Sequence, residues 1–255
     1  MPPQAYIGAT GFMSRQEIDF VLAARAPDTL VMVGVLASGK TIRGESNKWP
    51  RRYPLACHLN GIFGEHDNVL NLIHFNTRQL DVLLQDMTYT HALAGPHCHG
   101  FQLNIAWPSR EVLSRYRAWA PRNRSTIVLQ CGPDALAQLN RDPKRIADRV
   151  ARYEGLVDYV LIDPSAGLGK EFDVEFAGRC FRALTDRAPE TIGIGIAGGL
   201  HAGNLDRLEP LLGDFRFSVD AEGKLRDSND DLDVRAAREY LATADQLFRH
   251  HRTAP

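Results

Sequence analysis

A single (β/α)8 barrel over residues 1 to 255 is the fold that this sequence predicts, on three observations. Eight strand-like runs alternate with helical ones, and the chain length suits eight such units. Several runs, such as Leu30 to Leu36, are apolar throughout, as parallel strands buried on both faces are. The runs then end in polar residues, and in a parallel barrel those C-terminal ends make the ligand-binding face. An open doubly wound sheet is the rival. It would need a Gly-rich fingerprint after the first run, and Gly8-Ala9-Thr10-Gly11 is too short and wrongly spaced for a dinucleotide turn.

Taken in order, Gln4 to Thr10 is the first run, stopped by Gly11. Ser14 with Glu17 three residues on is a capping box, and Ile18, Val21 and Leu22 continue at helical spacing. The β-branched run Thr29 to Leu36 precedes a long loop, residues 37 to about 67, rich in Gly, Pro, Arg and Lys; loops of that length are commonly functional. Val69 to Phe75 is the third strand, with a helix expected over Arg78 to Leu84. Phe101 to Trp107 is the fourth, ended by Pro108, and Ser109-Arg110-Glu111-Val112 opens the next helix. Thr126 to Cys131 is the fifth, followed by a helix over Pro143 to Tyr153; Asp158 to Asp163 is the sixth, followed by one over Val174 to Asp186. Ile192 to Ala197 and Phe215 to Asp220 complete the strands, and a last helix runs from about Val234 to Arg249.

Composition limits the function. With a net charge of -1 and no basic run, bulk electrostatics give no reason to expect nucleic acid. No apolar run reaches bilayer length, and the N-terminus lacks the pattern of a secretory leader, so a cytoplasmic protein without membrane attachment is expected. Cys57, Cys98, Cys131 and Cys180 have no paired spacing, which indicates neither a disulfide framework nor a zinc ribbon. His97-Cys98-His99 invites a metal reading, but the triplet precedes its strand and so falls on the face opposite the expected site; no metal and no cofactor are predicted.

The chemistry concentrates at the strand ends. After Ile192 to Ala197 comes Gly198-Gly199, where backbone N–H groups can approach an anion without a Cβ in the way, and Leu205, Leu208 and Leu211 mark one face of a helix beyond. A small-molecule ligand is expected, and a phosphate on it would suit this turn. Thr10, Ser38, His74, Asn76, Gln102, Asn104, Gln130, Asp163, Ser165, Asp220 and Glu222 recur at equivalent ends. One such group alone is more often structural; their recurrence favours a shared cavity.

The order Ala197-Gly198-Gly199-Leu200, Gly203-Asn204-Leu205 resembles the C-terminal quarter of the phosphoribosylanthranilate isomerases. Asp158-Tyr159-Val160-Leu161-Ile162-Asp163, with Gly167-Leu168-Gly169-Lys170-Glu171-Phe172-Asp173 after it, resembles that family's sixth strand and loop. Phe101-Gln102-Leu103-Asn104 is similar to its fourth strand. The similarity covers about residues 100 to 225 well and the first hundred in outline. It implies an aldose-to-ketose rearrangement in which an acid protonates a ring oxygen and a base removes a carbon-bound proton, with Asp163 as the acid, Gly198, Gly199 and Gly223 near phosphate, and Arg52 in the place of a carboxylate-binding arginine. Gln102, Asn104, Gln130, Asp220 and Glu222 complete the implied binding set, and a homodimer is one option for assembly.

Two positions depart from the family pattern. Thr10 stands where the family places its cysteine base, and a neutral hydroxyl cannot readily abstract a carbon-bound proton unaided. His74, Cys131 and Glu222 are the substitutes the sequence offers, His74 being the one placed with Asp163 and Thr10 in the catalytic set. Glu222 also replaces a hydroxyl near the expected phosphate, where two anions would repel unless Lys224 offsets them. A non-catalytic relative that binds a metabolite or a protein is therefore the alternative to an isomerase or lyase.

Overall fold

The computed structural model of the chain describes residues 3–164 and 173–252. Its eight strands are all parallel and pair in chain order: β1 Ile7–Thr10, β2 Val31–Ser38, β3 Val69–Asn76, β4 Gly100–Leu103, β5 Thr126–Cys131, β6 Tyr159–Ile162, β7 Gly193–Ala197 and β8 Ser218–Ala221. β8 pairs with β1, which closes the (β/α)8 barrel.

The alternation of side chains along each strand builds two separate cores. On β2, Val31, Val33, Val35 and Ala37 point outward and pack with the helices, whereas Met32 points into the barrel. Tyr6, Leu72, Val128, Tyr159, Leu161 and Ala197 join Met32 inside. The rings of Tyr6 and Tyr159 meet edge to face at 5.1 Å, and the Tyr159 hydroxyl donates to the Gln4 carbonyl at 2.8 Å. One step further along the axis the inward residues turn polar: Thr10, His74, Gln102, Gln130, Asp163 and Asp220 are all buried. The interior is thus apolar at the N-terminal end of the strands and hydrogen-bonding at the C-terminal end.

Glycines make space for this polar layer. A Cβ on Gly34 would stand 2.2 Å from Thr10 Oγ1, and one on Gly8 would stand 2.8 Å from Asp220 Oδ1.

Helices cover the outside. Arg15–Leu22 carries the expected capping box, Arg110–Trp119 starts from Ser109, and Pro143–Ala151 is capped by Asp142 with Pro143 in its first turn. Val174–Arg187 and Val234–Arg252 complete the larger helices on the second half of the chain. Four sequence expectations need correction. The helix after β3 spans Leu83–Ala94, beginning where Arg78 to Leu84 was expected to end, with a 3-10 turn Leu80–Val82 before it. β4 stops at Leu103, not at Trp107, which takes φ 51° in the loop beyond and hands its indole N–H to the Ala135 carbonyl. The loop after β2 is less irregular than its composition implies, holding helix Gly39–Ile42 and 3-10 turns Pro50–Arg52 and Ala56–Gly61. Beyond Gly199 lies a 3-10 segment, Ala202–Leu208, and the short helix Glu209–Leu212, so no long helix dipole points at the Gly pair. Among the described residues no helix is long and apolar enough to cross a membrane.

Gly100 opens β4 at φ 141°, where an added Cβ would lie 2.0 Å from the Thr126 carbonyl oxygen. Its neighbour is backbone and cannot swing away. Gly100→Ala is expected to cost about 3 kcal/mol or more, through strain and disturbed β4–β5 pairing, read as a lower urea midpoint.

Candidate active site

The polar layer is one hydrogen-bonded line. Asp163 Oδ2 accepts from Gln130 Nε2 at 2.8 Å, and Gln130 Oε1 accepts from Gln102 Nε2 at 3.1 Å. Gln102 Nε2 also donates to Asp220 Oδ2 at 2.9 Å, and Thr10 Oγ1 donates to Asp220 Oδ1 at 3.3 Å. His74 Nδ1 lies 3.4 Å from the same Gln102 nitrogen. Five strands and the residue just past β6 therefore hold two carboxyl groups and an imidazole through two amides and a hydroxyl.

A cavity of about 180 Å³ opens above this layer, room for a small metabolite. His74, Asn104, Gln130, Asp163 and Asp220 line its floor side, and Arg52, Gly198, Gly199, Glu222 and Gly223 line it from the loops. Thr10 and Gln102 do not reach it: both are buried beneath, with Thr10 fully covered, and they act on Asp220 instead. Cys131, a candidate base in the sequence, belongs to the outer core between strand and helices, where burial pushes its thiol well above the ordinary range; it does not face the cavity. Cys98 is likewise buried, and among the described residues no group of three His, Cys, Asp or Glu is placed to hold a metal ion. Ser165 and the run Gly167 to Phe172 lie outside the described residues.

Burial shifts two groups of the floor. Burial pushes Asp220 up to about 7, with the charges of Glu222 and Asp163 adding to it and the hydrogen bonds from Gln102 and Thr10 opposing it. Burial also pushes the His74 imidazole below its ordinary value, against the pull of Glu222 and Asp163. A neutral imidazole and a carboxyl group that exchanges its proton near neutrality thus share one floor.

The rim is ionic. Arg52 grips Asp230, Nε at 2.8 and 2.9 Å and a terminal nitrogen at 2.7 Å, and its other terminal nitrogen is 3.4 Å from Glu222. Its guanidinium lies over the Trp49 ring, 4.5 Å from the centroid. Arg51 pairs with Asp231 beside it. Arg226 is buried against Gly11, donates to the Asp230 carbonyl at 3.0 Å and lies 3.5 Å from Glu222. Glu222 is thus balanced by two arginines, which removes the need for Lys224 to offset it. Lys224 lines the cavity and has no carboxylate partner among the described residues. Sequence reasoning missed Arg226 and Asp230. The signal available was a doublet, Arg51-Arg52 against Asp230-Asp231, too far apart in the chain for spacing to join them.

The Gly pair is built for close approach. Gly198 and Gly199 take φ 113° and 70°, which L side chains rarely adopt, and Asn204 fixes the turn by donating to the Gly199 carbonyl at 2.9 Å while accepting from His201 N.

No family model matches the sequence, and no curated protein matches it. Solved structures do match the fold. Phosphoribosyl anthranilate isomerase from Thermus thermophilus superposes with a TM-score of 0.63 at 13% identity, covering 95% of this chain and 99% of the other. The enzyme of that name from Thermotoga maritima gives 0.63 at 16% identity, covering 95% and 100%. TrpF from Jonesia denitrificans gives 0.61 at 15%, covering 98% of each chain. A further phosphoribosyl anthranilate isomerase structure, at 14% identity and TM-score 0.61, is a complex with reduced 1-(o-carboxyphenylamino)-1-deoxyribulose 5-phosphate. At these identities the likeness establishes a shared barrel fold.

Asp220 gives the floor a pH signature. Folded, it keeps its proton to about pH 7; unfolded, it loses it near 3.8, so in between the folded state binds more protons and stability falls as pH rises. Asp220→Asn removes that loss. Relative to the parent protein it is expected to gain on the order of 1–4 kcal/mol between about pH 5 and about pH 8, read from denaturant midpoints at both.

Proposed function

We propose that the protein is an acid–base isomerase or lyase for a small phosphorylated carbonyl metabolite, working at the C-terminal mouth of the barrel. The observation that carries this reading is the pair Asp163 and Asp220, both facing one cavity and joined through Gln130 and Gln102. Two carboxyl groups held apart by a fixed polar bridge are what a paired proton transfer needs. Asp163 donates a proton to the ring oxygen of an aldose as the ring C–O bond breaks and a lone pair of the anomeric oxygen forms the C=O bond. Asp220, in its carboxylate form, takes the proton from the neighbouring carbon. The C–H electron pair becomes the C=C bond of an enediol-type intermediate as the C=O π pair returns to its oxygen, and reprotonation at the former carbonyl carbon gives the ketose.

In this reading Thr10 is a positioning residue. It stands where the isomerases that the sequence resembles carry a cysteine base, and it directs its hydroxyl to Asp220, which takes over the proton abstraction. His74 faces the same space as a second acceptor, neutral near physiological pH. Gly198, Gly199, Gly223 and Lys224 receive the phosphate: the backbone turns allow close approach, and Lys224 supplies a cation with no internal carboxylate partner among the described residues. The neighbour crystallised with a ribulose 5-phosphate compound supports a phosphorylated ligand for a barrel of this shape.

A second reading, a metabolite-binding protein without turnover, is favoured by Thr10 in the position of the thiol. The two separate in one experiment. The protein is incubated in deuterated water with a panel of aldose phosphates that includes phosphoribosylanthranilate, and proton NMR follows exchange at the carbon next to the carbonyl. Exchange or ketose formation is expected, with Asp163→Asn and Asp220→Asn each slowing it by about 10²–10⁴-fold. Turnover that survives Asp163→Asn unchanged overturns its role as acid. Saturable binding with no exchange for any panel member establishes the second reading instead.

A further inference from the structure

The cavity wall contains an arginine that would be expected to grip an anionic ligand, and the chain has already given it one. Arg52 lines the cavity, yet every nitrogen of its guanidinium lies within 3.4 Å of an internal carboxylate, Asp230 or Glu222. The arrangement is the side-by-side fork that an arginine makes with any bound carboxylate. Arg226, the next cation inward, has its side chain only 3% exposed and is likewise turned to Glu222 and to the Asp230 backbone.

Asp230 is placed there by a built turn. Asp227 accepts from the backbone N–H of Asn229 at 2.8 Å and of Asp231 at 3.0 Å, and its own N–H bonds the Asp231 carbonyl at 2.9 Å. Arg226 and Leu232 bridge the base of the turn. Asp230 itself sits at φ 67°, a left-handed conformation that a side-chain-bearing residue adopts at a cost. The strained residue is the one whose carboxylate reaches Arg52.

We infer that Asp230 is a built-in stand-in for a ligand carboxylate, so that the cavity takes a phosphorylated, otherwise neutral polyhydroxy carbonyl compound and discriminates against one bearing a carboxylate. Among the described residues of the wall, Lys224 is the cation that lacks an internal carboxylate, and it lies beside the Gly pair, where it can take one anionic head group. Against the described residues, a second anion on the ligand would have to displace Asp230 from Arg52 or lie beside the carboxylate of Glu222. This inference rests on the proposed phosphorylated ligand for the same cavity, and binding rather than turnover tests it.

The test is calorimetric titration of the protein, and of Asp230→Asn and Asp230→Ala, with two probes. One is reduced 1-(o-carboxyphenylamino)-1-deoxyribulose 5-phosphate, and the other is the same compound without its carboxyl group. The unaltered protein is expected to bind the carboxyl-free probe about tenfold more tightly, and either substitution is expected to bring the carboxylated probe up by about tenfold while leaving the carboxyl-free probe within about twofold. Circular dichroism melts of both variants establish that each is folded. Equal or tighter binding of the carboxylated probe by the unaltered protein overturns the inference and leaves the phosphate reading intact, as does an unchanged preference in both folded variants. Failure of either probe to bind any of the three proteins, with inorganic phosphate also silent, overturns the phosphate reading and the inference with it.

Discussion

The hydrogen bonds that Thr10 and Gln102 make to the buried carboxyl of Asp220 are the constraint around which the ligand face is arranged. A carboxyl group with 4% of its surface exposed has left water and must be met by donors or keep its proton. Here both responses operate: two donors reach it, and burial still lifts it to about 7. Gly8 and Gly34 exist beside it because a methyl group at either place would strike Asp220 or Thr10. The amide of Gln102 then has to serve Asp220, Gln130 and the neighbourhood of His74 from one nitrogen, which fixes the orientation of Gln130 and so the donor that meets Asp163. The floor therefore behaves as a unit. Changing one member alters the protonation and direction of the others, and single substitutions will not add.

The rim follows a different logic. At Asp220 and His74 charge is suppressed by burial; around the mouth it is cancelled by pairing. Arg51, Arg52 and Arg226 face Asp231, Asp230 and Glu222, and the partly covered pairs carry more of the interaction than the exposed Arg51–Asp231 pair, which solvent screens. Among the described residues such cancellation leaves a mouth that is polar without being strongly charged, with Lys224 beside the glycine turns as the local exception.

Much of the barrel is legible in the sequence because its signals are local. Thr126 to Cys131 opens on the β-branched Thr126, Ile127 and Val128 and forms β5 residue for residue, and the Ser14–Glu17 capping box and the Pro143 helix start appear as read. The helix Leu83–Ala94 defeats the same reasoning because its buried face includes Asp86, Thr90 and His91. Those residues look like surface until their distant partners arrive: Arg43 for Asp86 at 3.3 Å, the Tyr116 hydroxyl for His91 at 2.7 Å. The floor was readable for a similar reason that β5 was, since period two puts His74, Gln102, Gln130, Asp163 and Asp220 on inward positions at strand ends. Thr10 and Gln102 share that register but stop beneath the cavity, a matter of depth that alternation does not encode. Asp230 has no periodic signal at all; its importance comes from a contact 178 positions away in the chain.

The pairing of Arg51 and Arg52 with Asp231 and Asp230 also has a mechanical meaning. These residues belong to the loops after β2 and β8, the two strands that flank β1, and Arg226 packs on Gly11 at the end of β1 itself. β1 is thereby strapped at the seam where the barrel closes, the pairing of the two strands furthest apart in chain order, which closes the longest loop. Whatever takes hold of Arg52 from the cavity would slacken that strap, so the occupancy of the mouth and the tightness of the seam are two readings of one set of charges.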